Sequence, residues 1–174
     1  MHPAYGAGHA TVAGGCVTML KAFFEMFTDS DSGVERELLG LDGSPIAYVP
    51  NADGTKLVKD KKNKKPLTVQ GELDKLAANI SIGRNMAGVH YYSDYYDSMR
   101  MGERVAVGIL MQQAPTYGDA VETTFTSFDG DFISIVGEAA TAPTLTVIDR
   151  NGNPMSAKDW WLRHVVGQEL VEDF

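Results

Sequence analysis

Four histidines are the residues of this chain best suited to chemistry: His2, His9, His90 and His164. His2 and His9 bracket a loop of mostly small residues, Pro3-Ala4-Tyr5-Gly6-Ala7-Gly8, and helical spacing begins directly afterwards. A helix start presents unpaired N–H groups and the positive end of the peptide dipoles, a natural seat for an anion. Small residues at positions 6 to 8 let an anion approach the backbone closely. A second cluster is Gly83-Arg84-Asn85-Met86-Ala87-Gly88-Val89-His90-Tyr91-Tyr92-Ser93-Asp94. Arg84 offers a planar fork of donors for an oxyanion. His90 can serve as a nucleophile toward phosphorus or as a ligand to vanadium, and Asp94 can hold the other ring nitrogen and set its tautomer. Read alone, each cluster also fits a plain helix end, with a capping histidine in the first case and a surface histidine in the second. His164, within Trp160-Trp161-Leu162-Arg163-His164, reads as structural or solvent-exposed, and Cys16 as a small core residue.

Three helices must position these groups. The first begins near His9, with Val12, Cys16, Met19, Leu20, Phe23, Phe24 and Phe27 as its apolar stripe, and stops at Asp29–Gly33. A second follows Thr68 as N-cap and runs to about Ala87, with Leu73, Leu76, Ala77, Ile80 and Arg84 on or near one face and Gly88 as its stop. An arginine on such a face must meet an anion or carry a desolvation penalty. The third covers Ser93–Gln113 and breaks at Ala114-Pro115, with Asp97–Arg100 and Arg100–Glu103 at pairing distance along it. Tyr91, Tyr92, Tyr95 and Tyr96 read as packing around the site.

Residues 28–67 read as irregular, with a hairpin of 46–49 and 56–58 around Asn51–Gly54, and the basic run 59–65 as a solvated loop. After the third helix the pattern turns to strands: a hairpin of 123–126 and 132–136 around Asp129-Gly130, then 144–148, turned at Asn151-Gly152. Ser156, with Asp159 three residues on, caps a short last helix. The expected fold is mainly α: a helical bundle with a small β-hairpin appendage near the C-terminus. Region 1–115 carries the site, and a β-rich region 116–174 belongs to the same domain.

The chain's 174 residues, 44% apolar and 22% charged, suit one globular domain. A net charge of −8 argues against a nucleic-acid partner. Apolar runs fall far short of the roughly 20 residues a membrane span needs. One cysteine excludes an internal disulfide and any cysteine-based metal cluster.

Gly6-Ala7-Gly8-His9 at a helix start, followed much later by Gly83-Arg84, Gly88, His90-Tyr91 and Asp94, resembles the vanadium-dependent haloperoxidase and type 2 phosphatidic acid phosphatase superfamily. Residues 2–24 and 71–110 are most similar to its bromoperoxidase branch. The resemblance implies a vanadate cofactor and oxidation of halide, bromide above all, by hydrogen peroxide to hypohalous acid. It also implies a homo-oligomer, and leaves the organic substrate open. By the same resemblance His90 is the vanadium ligand, Arg84 and the Gly8 N–H meet vanadate oxygens, and His9 is the acid–base histidine. His2 stands near the site, and Asp94 orients His90. Ala7 replaces a serine found in many relatives, which removes a hydrogen bond of about 1.5–3 kcal/mol to a charged group. The lysine and second arginine of the family's earlier motif have no counterpart here, so the chain is expected to be the C-terminal portion of a longer protein. Two alternatives stay open: a soluble acid phosphatase using the same residues, with His90 as nucleophile, or a non-catalytic truncated relative acting as an oligomerising or anion-binding module.

Overall fold

The computed structural model describes residues 5–29, 33–60, 62 and 66–163, so His2, His164 and most of the basic run lie outside the described residues. Helix α1 (Gly8–Phe23) is followed by five short strands: β1 (Phe27–Asp29), β2 (Val34–Glu35), β3 (Glu37–Leu38), β4 (Tyr48–Pro50) and β5 (Leu57–Lys59). Strand β6 (Leu67–Thr68) leads into α2 (Val69–Met86), and α3 (Tyr92–Gln113) follows. Then come β7 (Val121–Thr126), β8 (Phe132–Gly137), β9 (Thr144–Ile148), β10 (Pro154–Met155) and α4 (Ala157–Arg163). β4 and β5 form the expected hairpin, Tyr48 opposite Lys59. The helix boundaries follow local chemistry. Thr68 Oγ1 accepts the Gly71 N–H at 3.0 Å, Gly88 turns the chain at φ +70°, and Ser156 Oγ accepts the Asp159 N–H at 3.0 Å. Among the described residues no helix is long and apolar enough to cross a membrane.

α1 runs antiparallel to α2: Lys21, near its end, pairs with Asp74 near the start of α2 at 2.6 Å. Against α3 it runs in the same sense, with Ala7 meeting Ser98 and Gly15 meeting Gly102. The α1–α3 approach is close enough to demand glycine. A Cβ on Gly102 would lie 2.7 Å from the Gly15 nitrogen and 2.9 Å from the Thr11 carbonyl carbon, and one on Gly14 would lie 2.8 Å from the Met99 carbonyl carbon.

This crossing overturns the expected apolar stripe. The buried face of α1 is Ala10, Ala13, Gly14, Val17, Thr18 and Lys21, while Val12 is 64% and Phe23 80% exposed. Cys16 is exposed as well. Small residues face inward because only they permit the close approach. α2 follows suit: Gln70, Ala77 and Ser81 are buried, and Leu76 and Ile80 are exposed. Of the four tyrosines, Tyr95 is buried, whereas Tyr91 and Tyr92 are exposed.

The mainly-α expectation is likewise corrected: the fold is mixed α and β. An antiparallel sheet of order β10-β9-β8-β7 supplies Phe125, Ile133, Ile135 and Val147 to a core shared with Val107 of α3, Met26, Phe27 and Trp160 of α4. Alternation along β8 puts Ile133 and Ile135 on one face, and that face packs on the second half of α3. The sheet is therefore half of the main core rather than an appendage.

A buried polar network joins sheet and helices. Arg100 does not pair along its own helix; it bonds Asp129 in the β7–β8 turn, as does Tyr96 Oη. Asp131 accepts the Trp160 indole N–H at 3.2 Å and pairs with Arg163. Glu103, fully buried, accepts the Phe128 N–H at 2.9 Å. Burial pushes its carboxyl up to about 8, offset only in part by Lys21. A carboxyl with its native pKa raised above 4.5 contributes stability that is fully present below that value and is lost as pH rises to about 8. Glu103→Gln removes this dependence and keeps the acceptor. In urea titrations across that range the variant is expected to gain stability relative to the parent as pH rises. A constant difference across the range would show that Glu103 ionises as freely as in the unfolded chain.

Candidate oxyanion site

The helix directions bring three chain ends to one end of the bundle: the start of α1, the end of α2 and the start of α3. The Gly8–His9 segment opens α1 there, and His9 is exposed. A Cβ on Gly8 would meet nothing within 4 Å, so the space over this backbone is open. No side chain caps α1. Its first intrahelical bond runs from the Thr11 N–H to the Ala7 carbonyl at 3.0 Å, which leaves the amides of Gly8, His9 and Ala10 without helical partners. Ala7 itself is fully buried, and its N–H donates to Ser98 Oγ at 2.9 Å.

Arg84 lies in the last turn of α2, on the continuation of the buried Gln70, Ala77, Ser81 face. Its Nε is buried and has no hydrogen-bond partner among the described residues. Arg36 and Arg104 share this feature away from the start of α1, so what sets Arg84 apart is its place at the end of α2, free to take an acceptor that a ligand supplies. His90 sits in the connection between α2 and α3, its side chain 12% exposed, with Nδ1 3.9 Å from Asp94 Oδ2. Asp94 is buried, and Oδ2 accepts the Tyr91 N–H at 2.9 Å. The carboxylate thus caps α3 and stands beyond hydrogen-bond length from the ring. Burial also raises the Tyr95 phenol above its ordinary pKa.

A multiply charged oxyanion suits this set: open amides at a helix start, one orphaned buried guanidinium N–H and a half-buried imidazole beside a carboxylate. The structure joins His90 to Asp94 and ties the Gly8–His9 segment to α3 through Ala7, and it brings the end of α2 that carries Arg84 to the same end. His2 lies outside the described residues. Ser98 went unnoticed in the sequence because its partner is a backbone amide 91 positions away. The one signal was a small polar residue four positions after Asp94. A separate cavity of about 510 Å³ lies at the far end of α1, between Phe24, Phe27, Arg36 and Glu122.

No family model matches the chain. Over 134 residues, 77% of its length, it is 51% identical to a vanadium-dependent bromoperoxidase of Corallina pilulifera and 49% identical to that of Corallina officinalis. It is 35% identical to the vanadium-dependent bromoperoxidase of Ascophyllum nodosum over the same length. The aligned stretch is 20–22% of those proteins, so the chain spans about a fifth of the length of the curated relatives it matches. Half of the aligned residues agree with the two Corallina enzymes, and the orphaned guanidinium and open amides suit an oxyanion; the chain belongs to the vanadium-dependent haloperoxidase family.

Proposed function

We propose that this chain provides vanadate-binding residues of a haloperoxidase that oxidises halide, bromide first among them, with hydrogen peroxide to hypohalous acid. The observation that carries this reading is the 51% and 49% identity over 134 residues to two vanadium-dependent bromoperoxidases, and the unpartnered Nε of Arg84 at the end of α2 supports it. The names of the three relatives supply the identity of the oxyanion. When bound, vanadate supplies a Lewis-acidic centre that polarises peroxide toward halide. His90 would hold the vanadium through a ring nitrogen, with Asp94 3.9 Å from Nδ1 on the other side of the ring. Arg84 and the Gly8 N–H would hold negative oxygens of that group, as donors of fixed direction for an oxyanion. His9, exposed on the first turn of α1, takes a proton from peroxide at an imidazole nitrogen and returns it to departing water.

These roles separate two histidines by experiment. Vanadium-51 NMR titration of the 174-residue chain is expected to show a bound signal that His90→Ala abolishes and His9→Ala keeps. Equal affinity in His90→Ala and the parent would reject the ligand assignment.

A further inference from the structure

We infer that Ser98 is a positioning residue for the oxyanion-binding segment, an inference that rests on the reading of Gly8 and His9 given above. Ser98 is 1% exposed, and its Oγ accepts the Ala7 N–H at 2.9 Å across the α1–α3 contact. Ala7 is fully buried and is the last residue before the helix. Its carbonyl is engaged by the Thr11 N–H at 3.0 Å and by Thr11 Oγ1 at 3.3 Å. Both backbone groups of Ala7 are therefore held, and the peptide that carries the Gly8 N–H has its direction set from its N-terminal side. Just before it, Gly6 has φ +91°, a conformation that glycine adopts without side-chain strain.

The same hydroxyl couples two halves of the site. Ser98 stands one helical turn after Asp94, which lies 3.9 Å from His90. The histidine side and the open-amide side are thus referred to one rigid stretch of α3. The Ala7 side chain can offer an oxyanion no hydrogen bond. Correct aim of the backbone amides matters more here in consequence, and Ser98 supplies it.

The test compares Ser98→Ala with Ser81→Ala. Ser81 is equally buried in the same bundle, but its hydroxyl donates only to the Ala77 carbonyl of its own helix, at 2.7 Å. Both variants lose one buried hydroxyl, so a merely structural role affects them alike. Inorganic phosphate and vanadate are titrated into the 174-residue chain and followed by the amide signals of Gly8 and His9. Ser98→Ala is expected to weaken affinity about tenfold and broaden those two signals, Ser81→Ala to do neither, and Ser98→Thr to restore much of the affinity. Ser98→Ala binding as tightly as the parent would overturn the inference. Should Ser98→Ala not fold, the parent decides through hydrogen exchange: a protected Ala7 amide supports the inference, and a freely exchanging one overturns it. A parent that shows no response to either anion defeats the functional reading instead. Order at Gly8 and His9 in Ser98→Ala against Ser81→Ala then still decides the role of Ser98.

Discussion

Gly102→Ala is expected to be among the most destabilising single-methyl changes in this protein, at about 3 kcal/mol or more. Inserting a methylene into a packed core costs about 1–3 kcal/mol when side chains can move aside. Here the new carbon would meet the Gly15 nitrogen at 2.7 Å and the Thr11 carbonyl carbon at 2.9 Å. Backbone cannot rotate out of the way, so α1 and α3 must separate and the packing of Ala10, Ala13 and Val17 against Tyr95 and Met99 must loosen. Gly108→Ala, on the same helix, is the control. Its Cβ would meet only the Trp161 ring, at 3.9 Å, and replacing a mid-helix glycine by alanine gains about 0.5–1 kcal/mol. Urea unfolding of the two variants should move the midpoint in opposite directions. Equal midpoints would mean that the helices do not cross on Gly102.

The second large effect falls on binding. Arg84→Ala is expected to weaken vanadate affinity by about 10- to 150-fold, the range set by roughly 1.5–3 kcal/mol for a hydrogen bond to a charged group. Its Nε has no protein acceptor among the described residues, so removing the side chain orphans no carboxylate through that atom. Stability should accordingly stay near that of the parent. Arg84→Lys is expected to fall between the two, since it keeps the charge and loses the fork. Isothermal titration with vanadate, alongside thermal unfolding of each variant, checks both halves. A large loss of stability with unchanged affinity would assign Arg84 to packing.

Local rules were readable from the residues themselves. Thr68 and Ser156 cap the helices they were expected to cap, and Gly88 ends α2. The turns at Asn51–Gly54 and Asp129-Gly130 join the strands expected of them. What escaped notice depends on partners distant in sequence. The large apolar residues of α1 follow a helical period, but the period alone does not say which face turns inward. Gly14 and Gly102 decide that, because their contact brings the backbones too close for Val12 or Phe23 to lie between. Lys21 and Glu103 look like surface charges until Asp74 and the Phe128 amide are brought to them. Arg84 and His90 stood out by residue type alone. The β region was undervalued because its inward face, Ile133 and Ile135, says only that some layer must cover it. That the layer is α3 itself depends on the chain's path.

Lys21 gives the molecule its mechanical character. Its fully buried ammonium donates to the Thr126 carbonyl at 2.8 Å, pairs with Asp74 at 2.6 Å and lies 4.1 Å from the centre of the Phe128 ring. Gln70 of α2 adds two bonds to the backbone of the same Thr126, each 3.1 Å. One end of α1 is thereby bolted to both the neighbouring helix and the last residue of β7. Peeling α1 away would break the pair with Asp74 and the bond to Thr126 together and would leave the fully buried Glu103 of α3 without the cation that offsets its burial, so partial opening at that end is costly. The helix and the sheet are therefore expected to open together rather than separately. α1 is thereby a strut tied at both ends, by Lys21 to α2 and β7 and by the Ala7 N–H to Ser98 of α3.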